Sequence, residues 1–344
     1  MNKITVFAPN VRHGGGKILL VQILKSLHNE NIIANAYVSV DLKHELSGIS
    51  DITFNKNNFF SKFISELSMY FSNYKNSKTI FFGNLPPIFK LKSYSYLYLH
   101  NSLLIENNLK IKFDLKTNIR LFFERKYLRL FIKNVDEVLV QTPKMYKKVK
   151  ETNLFSNVKL RAFLDNPSSK YIKKNTKLYD FIYPSYGYPY KNHKMLLDAW
   201  IYLSKINLFP SLIVTLDRDM HKKLYEKFEC AIEDHKLNIK LFSNLDYEDI
   251  FKLYSDTRAL IWPSLTESFG MPLIEAHNLN LNIIAADIDY ILDIFDDAYL
   301  FDPNNFVDIA NTIKSYMNDV KNNKIKKTKL KLMVFEAKDF IKSL

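Results

Sequence analysis

The sequence predicts an α/β chain of two Rossmann-like, doubly wound domains facing a central cleft. Three observations point there. β-rich runs alternate with helical patterns, the rhythm recurs in both halves, and 344 residues suit two domains of ~150–170 residues rather than one small one. In the first half, strands are expected at residues 4–8, 32–40, 79–82, 94–99 and 137–141, with helices at 17–29, 60–74, 116–133 and 144–152. Ile4-Thr5-Val6-Phe7 and Tyr94–Leu99 carry the β-branched and aromatic bias of strands. The second half is expected to place strands at 181–184, 212–216, 239–241, 259–262 and 282–285. Its helices are expected at 193–204, 220–235, 247–255, 272–278 and 305–318, with Pro272 suited to a first helical turn. The turn-rich Asn166-Pro167-Ser168-Ser169 places the boundary between domains 1–168 and 169–327. Residues 328–344 read as a last helix crossing back to the first domain.

Composition narrows the function. No run of ~18 uncharged apolar residues occurs, and Met1-Asn2-Lys3 runs straight into a strand, so neither a membrane span nor a signal peptide is expected. A single cysteine, Cys230, excludes a disulfide framework and fits a reducing cytoplasm. The net charge of +13 is unevenly shared: residues 1–170 hold 26 basic and 12 acidic residues, residues 171–344 hold 23 and 24. A lysine-rich composition would raise both halves alike, so the first half is expected to meet an anionic partner, with a membrane surface favoured. No nucleic-acid signature appears, and nucleic acid is not expected. Lys112, Lys116 and Arg120 fall at four-residue spacing before Phe122 and Phe123, which reads either as a solvated face or as peripheral lipid docking.

Ligands of open α/β sheets bind beyond the carboxyl ends of strands, so strand-to-helix turns carry the candidates. Only seven glycines occur, and three of them, Gly14-Gly15-Gly16, follow the first strand. They let the backbone pass close to a ligand whose anionic group a helix start would favour. The spacing is neither a Walker A loop nor G-x-G-x-x-G. Late in the chain, Pro263-Ser264-Leu265-Thr266-Glu267-Ser268-Phe269-Gly270-Met271-Pro272-Leu273-Ile274-Glu275-Ala276 sets Glu267 at a loop tip and Glu275 inside the helix that follows. There a carboxylate can accept from sugar hydroxyls, loop and helix N–H groups can hold a phosphate, and Glu275 can reach a ribose diol.

This stretch resembles the E-x7-E motif of retaining glycosyltransferases of the GT-B fold, family 4. Gly15-Gly16, Tyr98-Leu99-His100, Asn166-Pro167, Lys191-Asn192 and the turn at Asn244-Leu245 resemble further stations of that family. The resemblance implies transfer of a sugar from a nucleotide-sugar donor, with retained configuration and no metal or other cofactor. Its acceptor would be a glycan or lipid-linked sugar, in bacterial surface polysaccharide assembly of O-antigen or capsule type. It implies catalytic roles for His100, Lys191 and Glu267. Gly15, Gly16, Asn244, Leu245, Ser268, Phe269, Gly270, Met271 and Glu275 would bind the donor.

The chain departs from the family where Tyr186 stands in place of an arginine that pairs with the lysine on the diphosphate. Arg12, Lys17 and Arg218 are candidates to substitute. His100 could also be a plain buried strand-end histidine, and Asp217-x-Asp219 mimics a metal motif that the rest of the chain does not support. A non-catalytic nucleotide-sugar binder or scaffold, and a sugar-nucleotide epimerase, are the alternative readings. The localisation expected is cytoplasmic, peripheral on the inner membrane face.

Overall fold

The structure, a computed structural model, describes residues 3–72, 77–105, 115–166 and 176–344. The chain divides into two compact units, Met1–Asp165 with Met333–Leu344, and Asn166–Leu332. Of the turn read as the boundary, Pro167, Ser168 and Ser169 lie outside the described residues, as does Lys112.

The first unit runs β1 (Ile4–Ala8), α1 (Gly14–Asn29), β2 (Ile33–Ser39), β3 (Ile52–Asn55), α2 (Phe59–Phe71), β4 (Lys78–Phe81), β5 (Tyr94–Leu99), α3 (Leu115–Phe131), β6 (Glu137–Val140), α4 (Pro143–Glu151), β7 (Val158–Leu160) and β8 (Ala162–Phe163). Seven strands form one sheet in the order β3-β2-β1-β4-β5-β6-β7, every pairing parallel. The strand order reverses between β1 and β4, so the connections leaving their carboxyl ends run to opposite faces of the sheet and open a crevice. α1 covers the sheet with Leu19, Leu20, Ile23, Leu24 and Leu27, a helical spacing that buries one face. Side chains cap the starts of α2 and α4: Asn58 accepts from Ser61 N at 2.7 Å, and Thr142 from Met145 N at 3.3 Å.

The second unit runs β9 (Tyr179–Pro184), α5 (His193–Lys205), β10 (Leu212–Thr215), α6 (Lys222–His235), β11 (Ile239–Phe242), α7 (Tyr247–Asp256), β12 (Thr257–Trp262), α8 (Met271–Asn278), β13 (Asn282–Ala286), α9 (Asp289–Ile294), β14 (Phe295–Asp296), β15 (Tyr299–Phe301), α10 (Phe306–Lys321) and β16 (Lys329–Leu330). Its sheet has the order β11-β10-β9-β12-β13-β15, again parallel throughout, with the reversal between β9 and β12. Phe181, Ile182, Leu260 and Ile261 at its centre are fully buried, as a strand covered on both faces requires.

Two sequence expectations need correction. The helix expected from residue 328 is instead β16, then β17 (Val334–Phe335), then a short α11 (Ala337–Lys342). Lys329-Leu330-Lys331-Leu332 alternates charged and apolar residues, the period of a strand. β16 pairs with β14, and β17 with β8, which anchors the last twelve residues in the first unit. There Phe340 packs 4.5 Å from the Phe163 ring, and Tyr96 Oη donates to Leu344 O at 2.6 Å. The second correction is that α1 starts at Gly14, so the glycines are its first turn rather than a loop ahead of it. Strands β7, β8 and β15, of two or three residues, carry too little pattern to be read from sequence, and four-residue β3 was not expected either. Among the described residues, no helix is long and apolar enough to cross a membrane.

Candidate functional site

In the second unit, the turns after β9 and β12 lie on either side of the strand reversal, and hydrogen bonds join them. Leu265 N donates to Tyr190 O at 2.8 Å, and Ser264 Oγ to the same oxygen at 3.3 Å. Asn192 adopts the left-handed region (φ +61°) and its Nδ2 donates to Pro263 O at 3.2 Å and Pro303 O at 2.7 Å. A glycine would satisfy the backbone there, but only asparagine also bridges both loops.

This joint brings Lys191 to Glu267. Nζ meets Oε1 at 2.5 Å, each side chain only 12% exposed. The ammonium also lies over the rings of Trp262, 4.8 Å from the centroid, and Tyr190, 5.5 Å. The aromatic walls hold the lysine in one direction and thin the water around the pair. Such a pair is stronger than one on the surface and costs more to leave half-made.

Gly270 leads from Glu267 into α8. Its φ of +70° suits glycine, and a Cβ there would lie 2.8 Å from Leu273 Cδ1. No side chain caps α8; Pro272 has no N–H and Leu273 N donates to Gly270 O at 2.9 Å, so the N–H groups of Gly270 and Met271 are the donors this turn can offer an anion. Phe269 and Met271 are buried and brace the turn, and Ser268 is half-buried beside Glu267.

Glu275 faces away from water, with 4% exposure. It accepts from Tyr247 Oη at 2.8 Å and Tyr254 Oη at 3.2 Å. Burial pushes its carboxyl up to about 7, opposed by the two hydroxyls, which favour the anion. The carboxylate read from sequence as reaching a ribose diol is thus closed off by two tyrosines of α7. Their seven-residue spacing, one face of a helix, was a signal the sequence reading did not use.

The β11–α7 turn puts Asn244 in the left-handed region (φ +56°), followed by half-buried Leu245. Asp246 caps α7 by accepting from Asp249 N at 2.8 Å.

The three candidate substitutes for the missing arginine are engaged elsewhere. Arg12 lies 3.8 Å from Asp41, and Lys17 pairs with Glu45. Arg218 lies 3.5 Å from Glu229 with its guanidinium over the Tyr225 ring. Tyr186 is 41% exposed on the β9–α5 turn.

In the first unit, the crevice end of the sheet brings the glycine turn to His100. Gly14 takes φ +65°, Gly15 is exposed, and a Cβ on Gly16 would lie 2.7 Å from His100 Cε1. The histidine is fixed from behind. Its N–H donates to Asn84 Oδ1 at 2.7 Å, and its Nε2 lies 3.0 Å from both Phe82 O and Asn84 Nδ2. Phe82 O can only accept and the Asn84 amide can only donate, so Nε2 has a partner whether or not it carries the ring proton. Burial pushes the imidazole down to about 4, so it is neutral at physiological pH. The sequence reading missed Asn84, whose own left-handed φ (+66°) carries no pattern visible in sequence.

The second unit thus presents a cation, a carboxylate and a helix N-terminus together at a strand reversal, a set that can take an anion and a polyol side by side. Residues 166–331 match the family described as glycosyl transferases group 1. The chain is similar to the O-antigen chain mannosyltransferase RfbU of Salmonella typhimurium, 23% identical over 185 residues that make up 53% of this chain and 51% of that protein. It therefore spans about half the length of that curated relative. S. aureus TarM, crystallised with fondaparinux, alpha-GlcNAc-glycerol and UDP, superposes with a TM-score of 0.69 at 14% identity over 94% of each chain. Anabaena HepE, crystallised with UDP and glucose, gives a TM-score of 0.67 at 15% identity, over 94% of this chain and 92% of that one. At these identities the likeness is one of fold, and the fold is GT-B, two Rossmann-like α/β domains.

Proposed function

We propose that the chain, whose residues 166–331 match the glycosyl transferases group 1 family, moves a sugar, with retained configuration, from a nucleotide-sugar to a glycan or lipid-linked acceptor. The setting is bacterial surface polysaccharide assembly at the inner membrane face. The observation that carries this reading is the Lys191–Glu267 pair held at the strand reversal beside the uncapped start of α8. RfbU, an O-antigen mannosyltransferase, and TarM and HepE, crystallised with UDP, support the substrate class.

In the unliganded pair each charge is the other's counterion. A diphosphate entering beside α8 takes Lys191 and the N–H groups of Gly270 and Met271 as its donors. Glu267, released, accepts from hydroxyls of the sugar. The anomeric carbon–oxygen bond to phosphate breaks, and its electron pair leaves with the nucleotide diphosphate. The acceptor oxygen bonds the same carbon, and its proton passes to the departing phosphate. Lys191 neutralises the charge that develops, where the family resemblance would have used an arginine as well. In the first unit, neutral His100, with Gly15 and Gly16 beside it, is the group that the family resemblance assigns to the sugar. The turn at Asn244-Leu245 serves the base, and Glu275 serves the ribose once Tyr247 or Tyr254 yields its bond.

The experiment is a panel of UDP-, GDP-, dTDP- and ADP-sugars. One donor should raise the melting temperature, since ligand at 100 times its dissociation constant adds ~2.7 kcal/mol. The same donor should be turned over with an acceptor, and Lys191→Ala should reduce turnover by ~10²–10³-fold. A donor that binds without any turnover makes the chain a nucleotide-sugar binder, and a panel with no shift at all removes the reading.

A further inference from the structure

Two neighbouring helices of the first unit are turned with apolar side chains toward solvent. In α3, Leu121 and Leu128 point into the core, and Arg125 fastens that side by donating Nε and Nη2 to Leu103 O at 3.0 and 2.7 Å. At 3.6 residues per turn, Leu115, Ile119, Phe122, Phe123 and Leu130 then fall on the opposite side, within a sector of about 100°. All five are exposed, Leu115 by 75% and Phe123 by 64%. In α2, Ser65, Glu66 and Met69 face inward, while Phe60 and Phe71 stand out with 71% and 81% of their surface in water. Met69 shares one core cluster with Leu121 and Leu128, so both helices are anchored to the same interior. A surface helix of a globular protein ordinarily shows the reverse pattern. Exposed apolar surface of this extent marks an interaction site.

The charge around the patch says what it meets. α3 carries Lys116, Arg120, Arg125, Lys126 and Arg129 against a single acid, Glu124. Lys126 lies within the apolar sector, its ammonium 4.7 Å over the Phe122 ring. Lys116, Arg120 and Arg129 rim it, all exposed. A second copy of this face would meet its own positive charge. Anionic headgroups instead neutralise it, while lysine and arginine stems lie along the apolar surface with their charges at phosphate depth.

We infer that the exposed face of α2 and α3 docks on an anionic bilayer. Phe60, Phe71, Phe122 and Phe123 enter the acyl boundary and the basic rim binds lipid phosphates. This gives the membrane partner of the proposed transferase its contact surface. The role depends on that reading, but the contact is measured without turnover.

The test is flotation of the full chain with phosphatidylglycerol–phosphatidylcholine vesicles, and with phosphatidylcholine vesicles alone, at low and high salt. The chain should float with the anionic vesicles, less so at high salt, and stay behind with the neutral ones. Phe122→Ser with Phe123→Ser, and separately Lys126→Glu with Arg129→Glu, should each reduce the bound fraction by about tenfold or more. These side chains are mostly in water, so the variants should keep the melting temperature and the donor-induced shift. A chain that stays in solution, or variants that float as well as the parent, overturn the inference. So does a dimer that the phenylalanine variant dissolves, which would make the face a self-interface. A missing donor shift with intact flotation would count against the transferase reading alone.

Discussion

Lys191 and Glu267, 76 residues apart in the chain, meet at 2.5 Å with each side chain only 12% exposed. The pair holds the site's cation and its carboxylate in readiness. It also makes each group's removal a stability question as well as a catalytic one.

Removing one partner should cost more than removing both. Lys191→Met leaves the Glu267 charge among Trp262 and Tyr190, and should lose on the order of 2–3 kcal/mol. Lys191→Met with Glu267→Gln should recover most of that. Thermal unfolding of the two single variants and the double one gives the coupling directly. Equal losses in single and double variants would mean that the pair does not stabilise the loop joint.

Glu275 should make stability fall with rising pH. Its folded carboxyl is raised to about 7 from an ordinary 4.5, so between those values the folded chain holds a proton that the unfolded chain has lost. Stability contributed by the protonated form is complete below about 4.5 and is lost as pH rises through 7. Glu275→Gln should therefore be more stable than the parent at pH 8, by up to about 2–3 kcal/mol, and match it near pH 4.5. A constant gap across that range in urea titrations would assign the effect to packing.

Gly16→Ala should push His100 out of place. With a Cβ 2.7 Å from Cε1, and the ring held by Asn84 and Phe82, the overpacking should cost about 1–3 kcal/mol. His100→Ala introduced beside it should restore part of the loss. Absence of that rescue would locate the strain in the helix start instead.

Asn244 occupies a left-handed position at φ +56°. Asn244→Gly should be close to neutral in stability, and Asn244→Ala should cost about 1–2 kcal/mol. If calorimetry finds the two alike, the turn is relaxed in solution. If donor affinity falls only for the alanine, the turn's shape is what the donor reads.

Much of this architecture was legible in the residues. The repeated alternation of strand and helix fixes two parallel sheets, because each pattern buries its own face over a few consecutive residues. The glycine positions could be read in the same way, since Gly14 and Gly270 answer to local backbone angles. Short strands such as β7 and β15 escaped because three residues carry no usable period, and the tail misread as a helix is held by pairing with distant β8 and β14.

The sequence alone determined which groups could serve the site: one lysine after β9, a glutamate at the β12 turn, a second glutamate in α8, a histidine ending β5. Only the tertiary structure decided how they are used. It closed Lys191 onto Glu267, bonded Glu275 to Tyr247 and Tyr254, tied Arg12 and Lys17 to acids of their own unit, and turned the apolar side of α3 outward. The reason is physical. Backbone preferences and side-chain periodicity act between neighbours in the chain. Charge pairing, desolvation and exposure depend on distance through space, which the fold sets.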